Sequence, residues 1–345
     1  MSGSRVRWRG ANRTVLLIDG HVVDDDGAAA TETSRPAAWL ASPLIDLQGV
    51  PRTEPGDGFG LVLARQGSDR VGKGLVGALT VGGEGKVIAD HLRLRHGGAR
   101  VLSDGDGPLA DLDVLLGALR WAASVGLPVI GRPATPALER GVWAAGAEAT
   151  RRGLAPVFRQ GEALGVHRWA AAAEATGATV HLTPLWSAAG VEALRHHQAR
   201  GVSLTAGTTP HHAFVVPAPS WRAWPVMGDD ADRAALAEAL RDGTLTTLSS
   251  GARPRQADPA PLPDQLPSAP DPAVALATTL AHLGPEATER LWGEGPRKVL
   301  GLADDDVPGL IAIEAGATLT CALTGLSARR AVQGSWGLVP TEPQR

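Results

Sequence analysis

Two pairs of adjacent histidines are the residues whose type most readily suggests metal binding or acid–base chemistry. His196-His197 lies in a segment with helical spacing, and His211-His212 follows a short apolar segment. Adjacent residues diverge by about 100° around a helix and point to opposite faces of a strand, so neither pair can hold one ion within regular structure. We expect His196 and His197 on a solvated helix face. His211 and His212 come where a parallel barrel places functional groups.

The acidic segment Ser103-Asp104-Gly105-Asp106-Gly107 allows two interpretations. It can form a turn and the start of a helix, where the helix dipole favours carboxylates. Alternatively, Asp104 can be a functional carboxylate at the carboxyl end of a strand, again where barrel sites form. The turn is the simpler interpretation, and both stay open at this point.

The glycine-rich segment from Gly72 to Gly77 matches the pattern G-x-G-x-x-G. In a dinucleotide site this motif opens a helix whose N-terminus meets the pyrophosphate. Here it leads into another apolar strand, so we interpret the match as a coincidence in a glycine-rich chain. The sequence also lacks G-x-S-x-G, H-E-x-x-H and G-K-[ST] motifs, and its motifs assemble no set of nucleophile, base and orienting group.

Short apolar segments alternate with alanine-rich amphipathic segments through most of the chain. This alternation is typical of a parallel sheet that is buried on both faces. The predicted strands cover 43–47, 59–64, 75–80, 100–103, 127–130, 179–182, 202–206 and 245–248. The predicted helices cover 109–124, 164–176, 188–199, 230–241 and 273–283.

Eight strands are the number that a (β/α)8 barrel of the TIM type requires. Only about ten residues follow each of the first two strands, so we expect shortened βα units there. Strand-like segments at both termini, with a hairpin at Asp19-Gly20, are expected to pair as a small β domain. We therefore predict an α/β protein with a composite β domain from 1–42 and 303–345 and a barrel from 43–302. The proline-rich segment 253–271 is expected to form a long loop or lid.

The composition excludes several classes of partner and site. With 33 Lys+Arg against 36 Asp+Glu, the net charge of -3 argues against a nucleic-acid or membrane-surface partner. The single cysteine, Cys321, excludes an internal disulfide and a cysteine-based zinc site. No apolar run is long enough to span a membrane, and the first ten residues lack the apolar core of a signal peptide. We expect a soluble, cytoplasmic protein.

Several segments together resemble the bacterial dihydroorotases, cyclic amidohydrolases of pyrimidine synthesis. LIDLQGVPRTEPG resembles the family's first-strand motif D-L-H-x-H-L-R-x-P-G, and GALTVGGEGK resembles its G-A-L-T-x-G-x-E-G-K. GLPVIGRPA, TGATVHLTPLWSAAGVEALR, GVSLTAGTTPHHAF and GPRKVLGL follow in the family's order, so the similarity covers most of residues 40–302. The resemblance implies a metal-dependent amidohydrolase barrel with a small composite β domain.

The chain departs from the family at the positions that carry the chemistry. The resemblance assigns the two first-strand histidines to Gln48 and Val50, the strand-five histidine to Arg132 and the strand-six histidine to Pro184. The aspartate of the strand-eight motif, a metal ligand and general base in the family, is Gly251. A hydrolytic zinc needs about three nitrogen or oxygen ligands and an open position, and these side chains do not supply them.

The resemblance therefore implies a homologue that has lost catalysis and binds no cofactor. Arg52, Asp104, His211 and His212 remain as candidate ligand-binding residues. Inactive dihydroorotase-like chains form a class that associates with aspartate carbamoyltransferase, so the resemblance implies a structural or regulatory role beside that enzyme. A homo-oligomer stays open. We also hypothesise that Trp186 and Trp224, with Arg132, fill the former active site rather than form an ordinary rim.

Two other functions remain open from the sequence. The first is an active dihydroorotase or related cyclic amidohydrolase with an atypical metal site built from Asp104, His211 and His212. The second is a metal-free binding module in which Arg52 clamps a carboxylate ligand such as dihydroorotate or N-carbamoyl-aspartate.

Overall fold

The structure is a computed structural model that describes most of the central part of the chain and shorter segments towards both termini. The described residues are 5–9, 12, 14–18, 21–23, 27–34, 39–41, 44–47, 62–63, 76–105, 107, 109–217, 222–251, 272–302, 311–313, 318–320 and 327–329.

Four of the first five strands form a small sheet of their own. The five strands are β1 (Arg5–Arg9), β2 (Thr14–Ile18), β3 (His21–Val23), β4 (Thr31–Ser34) and β5 (Trp39–Ala41). The first four pair in the order β3-β2-β1-β4. β2 and β3 pair antiparallel on either side of Asp19-Gly20, which confirms the predicted hairpin.

The strands of the central part are short and largely buried. They are β6 (Ile45–Asp46), β7 (Val62–Leu63), β8 (Val76–Gly77), β9 (Val101–Ser103), β10 (Val129–Gly131), β11 (Trp143–Ala144), β12 (Pro156–Val157), β13 (Val180–Leu182), β14 (Leu204–Thr208) and β15 (Thr247–Leu248). Six of them form a parallel sheet in the order β15-β14-β13-β10-β9-β8. Each predicted strand of this region contains or overlaps one observed strand.

The helices lie between these strands or follow them. They are α1 (His91–His96), α2 (Leu112–Ser124), α3 (Ala147–Arg152), α4 (Arg159–Thr176), α5 (Ala188–Ala199), α6 (Pro210–Phe214), α7 (Asp230–Asp242), α8 (Pro272–Glu289) and α9 (Gly295–Leu300). The five predicted helices correspond to α2, α4, α5, α7 and α8. The segment that ends at Gly77 contributes Val76 and Gly77 to β8, and the next α-helix of the described residues begins at His91, which fits the interpretation of G-x-G-x-x-G as a coincidence.

The first two strands of the central part differ from the expected parallel arrangement. β6 and β7 pair antiparallel, with Ile45 opposite Leu63. An antiparallel pair needs no crossover helix. The buried carboxylate of Asp46 in β6 accepts hydrogen bonds from Ser250 N at 3.1 Å and from Ser250 Oγ, two residues after β15.

Successive residues of the parallel strands contribute to two separate cores, one on each face of the sheet. Leu102, Val129 and Leu182 pack towards the helices, where they meet Trp169 of α4. Their sequence neighbours Val101 and Ile130 belong to a second cluster, which also contains Val76 of β8, Ile45 and Leu300. The alternation matches a sheet whose inner face is packed with side chains, as in a barrel.

The two ends of the chain meet in one small sheet. The last described strands are β16 (Ile311–Ile313), β17 (Thr318–Thr320) and β18 (Ser327–Arg329). β16 pairs antiparallel with β5, so both termini contribute strands to the same sheet. The domain limits at 42 and 303 stay a prediction. Within the described parts of the chain, none of the helices is both long and apolar enough to cross a membrane.

Candidate functional site

The side chains that follow the carboxyl ends of the parallel strands converge on one face, which we call the mouth. Asp104 follows β9, Arg132 follows β10, Trp186 comes after β13, His211 lies on α6 after β14, and Gly251 comes after β15. This is the face on which barrels of parallel strands carry their sites. Of the candidate ligand-binding residues, Asp104, His211 and His212 lie on this face, and Arg52 lies outside the described residues.

Asp104 is held by the neighbouring strand end. Its carboxylate accepts hydrogen bonds from Thr80 N at 2.8 Å and Thr80 Oγ1 at 2.6 Å. Burial raises the pKa of Asp104, although the hydrogen bonds from Thr80 oppose the shift. The carboxylate thus joins the ends of β8 and β9, whereas Asp111 caps the helix that follows. Asp104 lies at the carboxyl end of a strand, as the second interpretation of this acidic segment expected. Its observed hydrogen bonds are to Thr80 and hold the two strand ends together.

Arg132 is a buried cation with a buried partner. Its guanidinium forms an ion pair with Glu139, and both side chains are almost fully enclosed. The guanidinium also lies 4.5 Å from the ring centroid of Trp224, within the range of a cation–π contact. Burial lowers the pKa of Arg132 and the charge of Glu139 opposes this, but arginine keeps its proton in proteins. A permanent positive charge therefore occupies the strand-five position of the mouth.

Glu162 is a further ionisable group near Arg132 that the sequence did not single out. It lies on α4, fully buried, and accepts hydrogen bonds from Trp186 N at 2.8 Å, Ser187 N at 2.9 Å and Ser187 Oγ at 2.6 Å. Burial raises its pKa to about 8, although these hydrogen bonds act in the opposite direction. The side chain fixes the segment that carries Trp186.

Glu162 should make the stability of the protein depend on pH. Its folded-state pKa of about 8 lies above its ordinary value of 4.5, so its contribution to stability is full below pH 4.5 and is lost as the pH rises through 8. Relative to Glu162→Gln, which cannot titrate, the native protein should lose on the order of 3 kcal/mol between pH 5 and 8.5. Urea unfolding of both proteins at the two pH values measures this difference. If the difference in unfolding free energy between the native protein and Glu162→Gln is the same at both pH values, Glu162 does not titrate in this range.

Trp186 fills the mouth as part of an apolar cluster. Its side chain is 1% exposed and packs with Ala144, Val157 and Val226. Ala144 and Val157 belong to the paired strands β11 and β12, which lie between β10 and α4 in the chain. Trp224 is half-buried over Arg132. These contacts agree with the hypothesis that Trp186, Trp224 and Arg132 fill this region. The alternative, that Trp186 is an ordinary exposed rim residue, disagrees with its burial.

The histidine pair of α6 is buried and uncharged. His212 Nε2 lies 3.0 Å from the carbonyl oxygen of Pro225, so Nε2 carries the proton, and Nδ1 lies 2.7 Å from Thr209 Oγ1 and accepts its proton. Burial lowers the pKa of His212 to about 4 and holds that of His211 well below its usual range. The rings are 4.4 Å apart. Both nitrogens of His212 therefore serve hydrogen bonds that fix the loop before α7.

Gly251 leaves no room for the aspartate that the family has at this position. A Cβ atom added at Gly251 would lie 2.8 Å from His211 Cε1, closer than real Cβ contacts, and 3.1 Å from Thr209 Cγ2, which is a tight contact. The residue also has φ +65°, a conformation that L side chains adopt only with strain. An aspartate here requires both a moved His211 ring and a changed backbone.

Gly251→Ala is therefore expected to destabilise the protein by about 2–4 kcal/mol, from backbone strain plus overpacking against His211. The matched control is Gly153→Ala, because Gly153 has φ +62° and nothing lies within 4 Å of its added Cβ. That control should cost only about 1 kcal/mol. Urea unfolding compares the two, and equal costs would mean that His211 does not crowd position 251.

The other positions that the family resemblance assigns to metal ligands supply no ligand side chain in the described structure. Pro184 follows a cis peptide bond from Thr183, is half-buried, and has no ligand atom in its side chain. Gln48, Val50 and Arg52 lie outside the described residues. Among the residues that are described, no group of three or more His, Cys, Asp or Glu side chains is placed to hold a metal ion.

A zinc ion of the family type does not fit the part of the mouth that is described. Such a site needs about three free nitrogen or oxygen ligands around an open position. Instead, Thr80 engages Asp104, Arg132 adds a positive charge, and the His211 ring stands against Gly251. Both charge and space oppose a divalent cation there.

Two further histidines show what the sequence patterns missed. His181 of β13 is buried on the inner face, with Nδ1 2.9 Å from Thr205 Oγ1 and Nε2 3.0 Å from Thr247 Oγ1, and burial lowers its pKa to about 3. A polar residue within an otherwise apolar strand was the signal in the sequence that could have revealed His181.

The expectation that His197 lies on a solvated helix face was wrong: its ring is buried between α4 and α5, with Nε2 2.8 Å from His167 Nδ1. His196 is exposed, as expected.

Curated proteins similar to this chain are dihydroorotases. The dihydroorotase of Anaeromyxobacter dehalogenans is 30% identical over 271 residues, which are 74% of this chain and 62% of that protein. The dihydroorotase of Desulforapulum autotrophicum is 30% identical over 186 residues, 52% of this chain and 44% of that protein. The chain thus aligns with less than two thirds of the length of these relatives.

Solved structures with a similar fold are amidohydrolases. The L-hydantoinase from Arthrobacter aurescens superposes with a TM-score of 0.71 at 13% identity, covering 96% of this chain and 94% of that one. The dihydropyrimidinase from Brevibacillus agri gives a TM-score of 0.69 at 14% identity, covering 97% and 94%. At this identity the likeness concerns the fold, and it supports the predicted TIM-type amidohydrolase barrel.

No family model matches the sequence. The dihydroorotase motifs, the identity to curated dihydroorotases and the shared barrel fold nevertheless agree with one another. The chain is dihydroorotase-like and belongs to the amidohydrolase superfamily.

Proposed function

We propose that this chain is a non-catalytic dihydroorotase-like protein that supports the assembly of aspartate carbamoyltransferase. The observation that carries the non-catalytic part is at Gly251, where the His211 ring occupies the space of the family's aspartate. In the family this aspartate is both a metal ligand and the general base. The proposal therefore includes no zinc and no other cofactor.

The chemistry of the reaction explains why this position matters. Hydrolysis of a cyclic amide requires an activated water and a group that accepts its proton. The carboxylate nearest to such a role, Asp104, is bound to Thr80 by two hydrogen bonds. His212 uses both ring nitrogens for Thr209 and Pro225. The described mouth thus offers a packed and internally bonded surface instead of an acid–base pair facing a cavity.

The resemblance to the dihydroorotase family supports the choice of partner in this proposal. Inactive chains of the dihydroorotase type associate with aspartate carbamoyltransferase, and a barrel whose mouth is packed by Trp186 can serve such a structural role. The test is a tagged copy expressed in its own host and purified at physiological salt. We expect the transcarbamoylase to co-purify in a fixed ratio, and its absence at several salt concentrations would contradict the partnership.

The enzymatic alternative draws on the same residues. An atypical dihydroorotase or related cyclic amidohydrolase would have to use Asp104, His211 and His212, and it would require a rearranged mouth, because Asp104 and His212 are engaged as described above. Stoichiometric metal together with turnover of dihydroorotate would establish this alternative.

The binding-module alternative depends on Arg52. Calorimetric titration of the metal-free protein with dihydroorotate and with N-carbamoyl-aspartate separates it from the structural role. Saturable binding that Arg52→Gln abolishes, without turnover, would favour the binding module.

A further inference from the structure

A second cavity lies outside the mouth, between α3 and the start of α7, and we call it the α3–α7 cleft. Most of its lining comes from residues 143–152 and 227–233, and its volume of about 680 Å³ is within the range of small-molecule sites. Arg132, His211 and Gly251 are outside this lining, so the cleft is not the mouth. Ala144 belongs both to the lining and to the apolar cluster of Trp186, so the cleft adjoins that cluster.

The charged side chains on the α7 side of the cleft are paired with one another. Arg233 forms an ion pair with Asp230, and Arg159 Nη2 binds Asp229 at 2.7 Å. Arg159 Nε also binds Asp232 at 2.8 Å, a buried carboxylate outside the lining. The lining on this side therefore carries two guanidinium groups and two carboxylates, and neither charge is in excess.

The α3 side of the cleft carries one excess positive charge. Arg151 and Arg152 both form ion pairs with Glu148, so two guanidinium groups share one carboxylate. The two arginines follow Glu148 by three and four residues, the spacing at which side chains meet on one face of a helix. Across the whole lining, four arginines stand against three carboxylates, and the difference lies at α3.

The shared carboxylate orients Arg152 and leaves the outer end of its guanidinium unused. Arg152 Nε donates a hydrogen bond to Glu148, and the guanidinium carbon lies 6.0 Å from the ring centroid of Trp143. Its terminal nitrogens, Nη1 and Nη2, have no hydrogen-bond partner among the residues that the structure describes, and the side chain is 40% exposed. Two N–H groups in this planar fork match the two oxygens of a carboxylate.

An apolar surface lies in the same cavity. Trp143, Val216 and Met227 contribute to it, Trp143 is half-buried, and Val216 is 69% exposed. A cavity that combines a few polar groups with apolar and aromatic side chains is typical of small-molecule sites. The polar groups fix the orientation of the ligand, and the apolar surface takes its body.

We propose that the α3–α7 cleft binds a small monocarboxylate with a flat apolar body. Its carboxylate accepts hydrogen bonds from the terminal nitrogens of Arg152, Arg151 contributes a second positive charge, and the body packs against Trp143. One negative charge on the ligand balances the one excess positive charge of the lining. The proposal concerns a site distinct from the mouth and does not depend on the loss of catalysis or on the transcarbamoylase partner.

The test is a calorimetric titration of the full chain with three matched probes. 3-Phenylpropionate has both the carboxylate and the apolar body, 3-phenylpropanamide has the same shape without the charge, and acetate has the carboxylate without the body. We expect saturable binding of 3-phenylpropionate and binding at least about tenfold weaker for each of the other two. Equal binding of the amide or of acetate, or no saturable binding of 3-phenylpropionate at millimolar concentration, would overturn the proposal.

Variants of the arginines locate the site. Arg152→Gln should weaken 3-phenylpropionate binding by about tenfold, because it removes the charged fork. Arg195→Gln is the matched control, since its ion pair with Asp242 does not line the cleft, and it should leave binding unchanged. Circular dichroism checks that each variant is folded. Equal losses in both variants, or no loss in Arg152→Gln, would place the binding elsewhere and overturn the assignment.

Discussion

Trp186→Ala is expected to lower the free energy of unfolding by about 3–5 kcal/mol. Trp186 is 1% exposed and is among the largest fully buried side chains of the described residues. Its removal takes away the contacts with Ala144, Val157 and Val226 and leaves a void that the short strands β11 and β12 can close only in part. Urea unfolding measured by circular dichroism gives the change.

Trp121→Ala is the matched control for this variant. Trp121 lies on α2, is 36% exposed and makes a ring contact with His91 at 5.0 Å. Its loss should cost about 1 kcal/mol, because much of its surface already contacts water. Equal costs for the two variants would contradict the view that Trp186 is the packed centre of the mouth, since an ordinary rim residue would behave like Trp121.

Arg132→Met is expected to destabilise the protein by a similar amount, about 3–5 kcal/mol. The variant leaves the buried carboxylate of Glu139 without its partner, and a second buried carboxyl, Glu162, lies close enough to interact with both groups. Desolvation of an unpaired carboxylate is the dominant cost. The double variant Arg132→Met/Glu139→Leu removes both charges and should recover most of the loss.

The exposed pair Arg200–Glu174 provides the control for this second prediction. Both side chains are 52% exposed, so Arg200→Met should change the free energy of unfolding by less than about 1 kcal/mol. A cost for Arg132→Met as small as this, or a double variant as unstable as the single one, would show that Glu139 is not a buried charge that Arg132 neutralises.

The regular part of the fold was predictable because local pattern and tertiary position agree there. The apolar segments at 100–103 and 127–130 are strands β9 and β10, and the Ala-rich periodic segment at 188–199 is α5. The two-residue strands β11 and β12 were missed, since two residues carry no periodicity. The antiparallel pairing of β6 with β7 was also missed, because direction depends on a connection whose path the sequence pattern does not specify.

For the candidate site, the sequence could predict which positions belong together but not the contacts that their side chains make. Motif comparison brought Arg132, His211 and Gly251 together as positions of one mouth, and the structure places them on one face. It could not reveal that the His211 ring takes the space beside Gly251, since that contact is tertiary. Glu162 had an available signal, because it begins a buried stripe with Gly165, Val166 and Trp169 on one face of α4.

The measurement that tests the central claim most directly is metal content together with dihydroorotate hydrolysis on the same purified sample of this chain. Zinc is added during expression, and an active dihydroorotase is purified in parallel to validate both assays. Because the proposal assigns Gly251 and Arg132 to positions where the family has metal ligands, the expected result is less than stoichiometric zinc and no turnover above the uncatalysed rate. Stoichiometric zinc with dihydroorotate turnover would contradict the account.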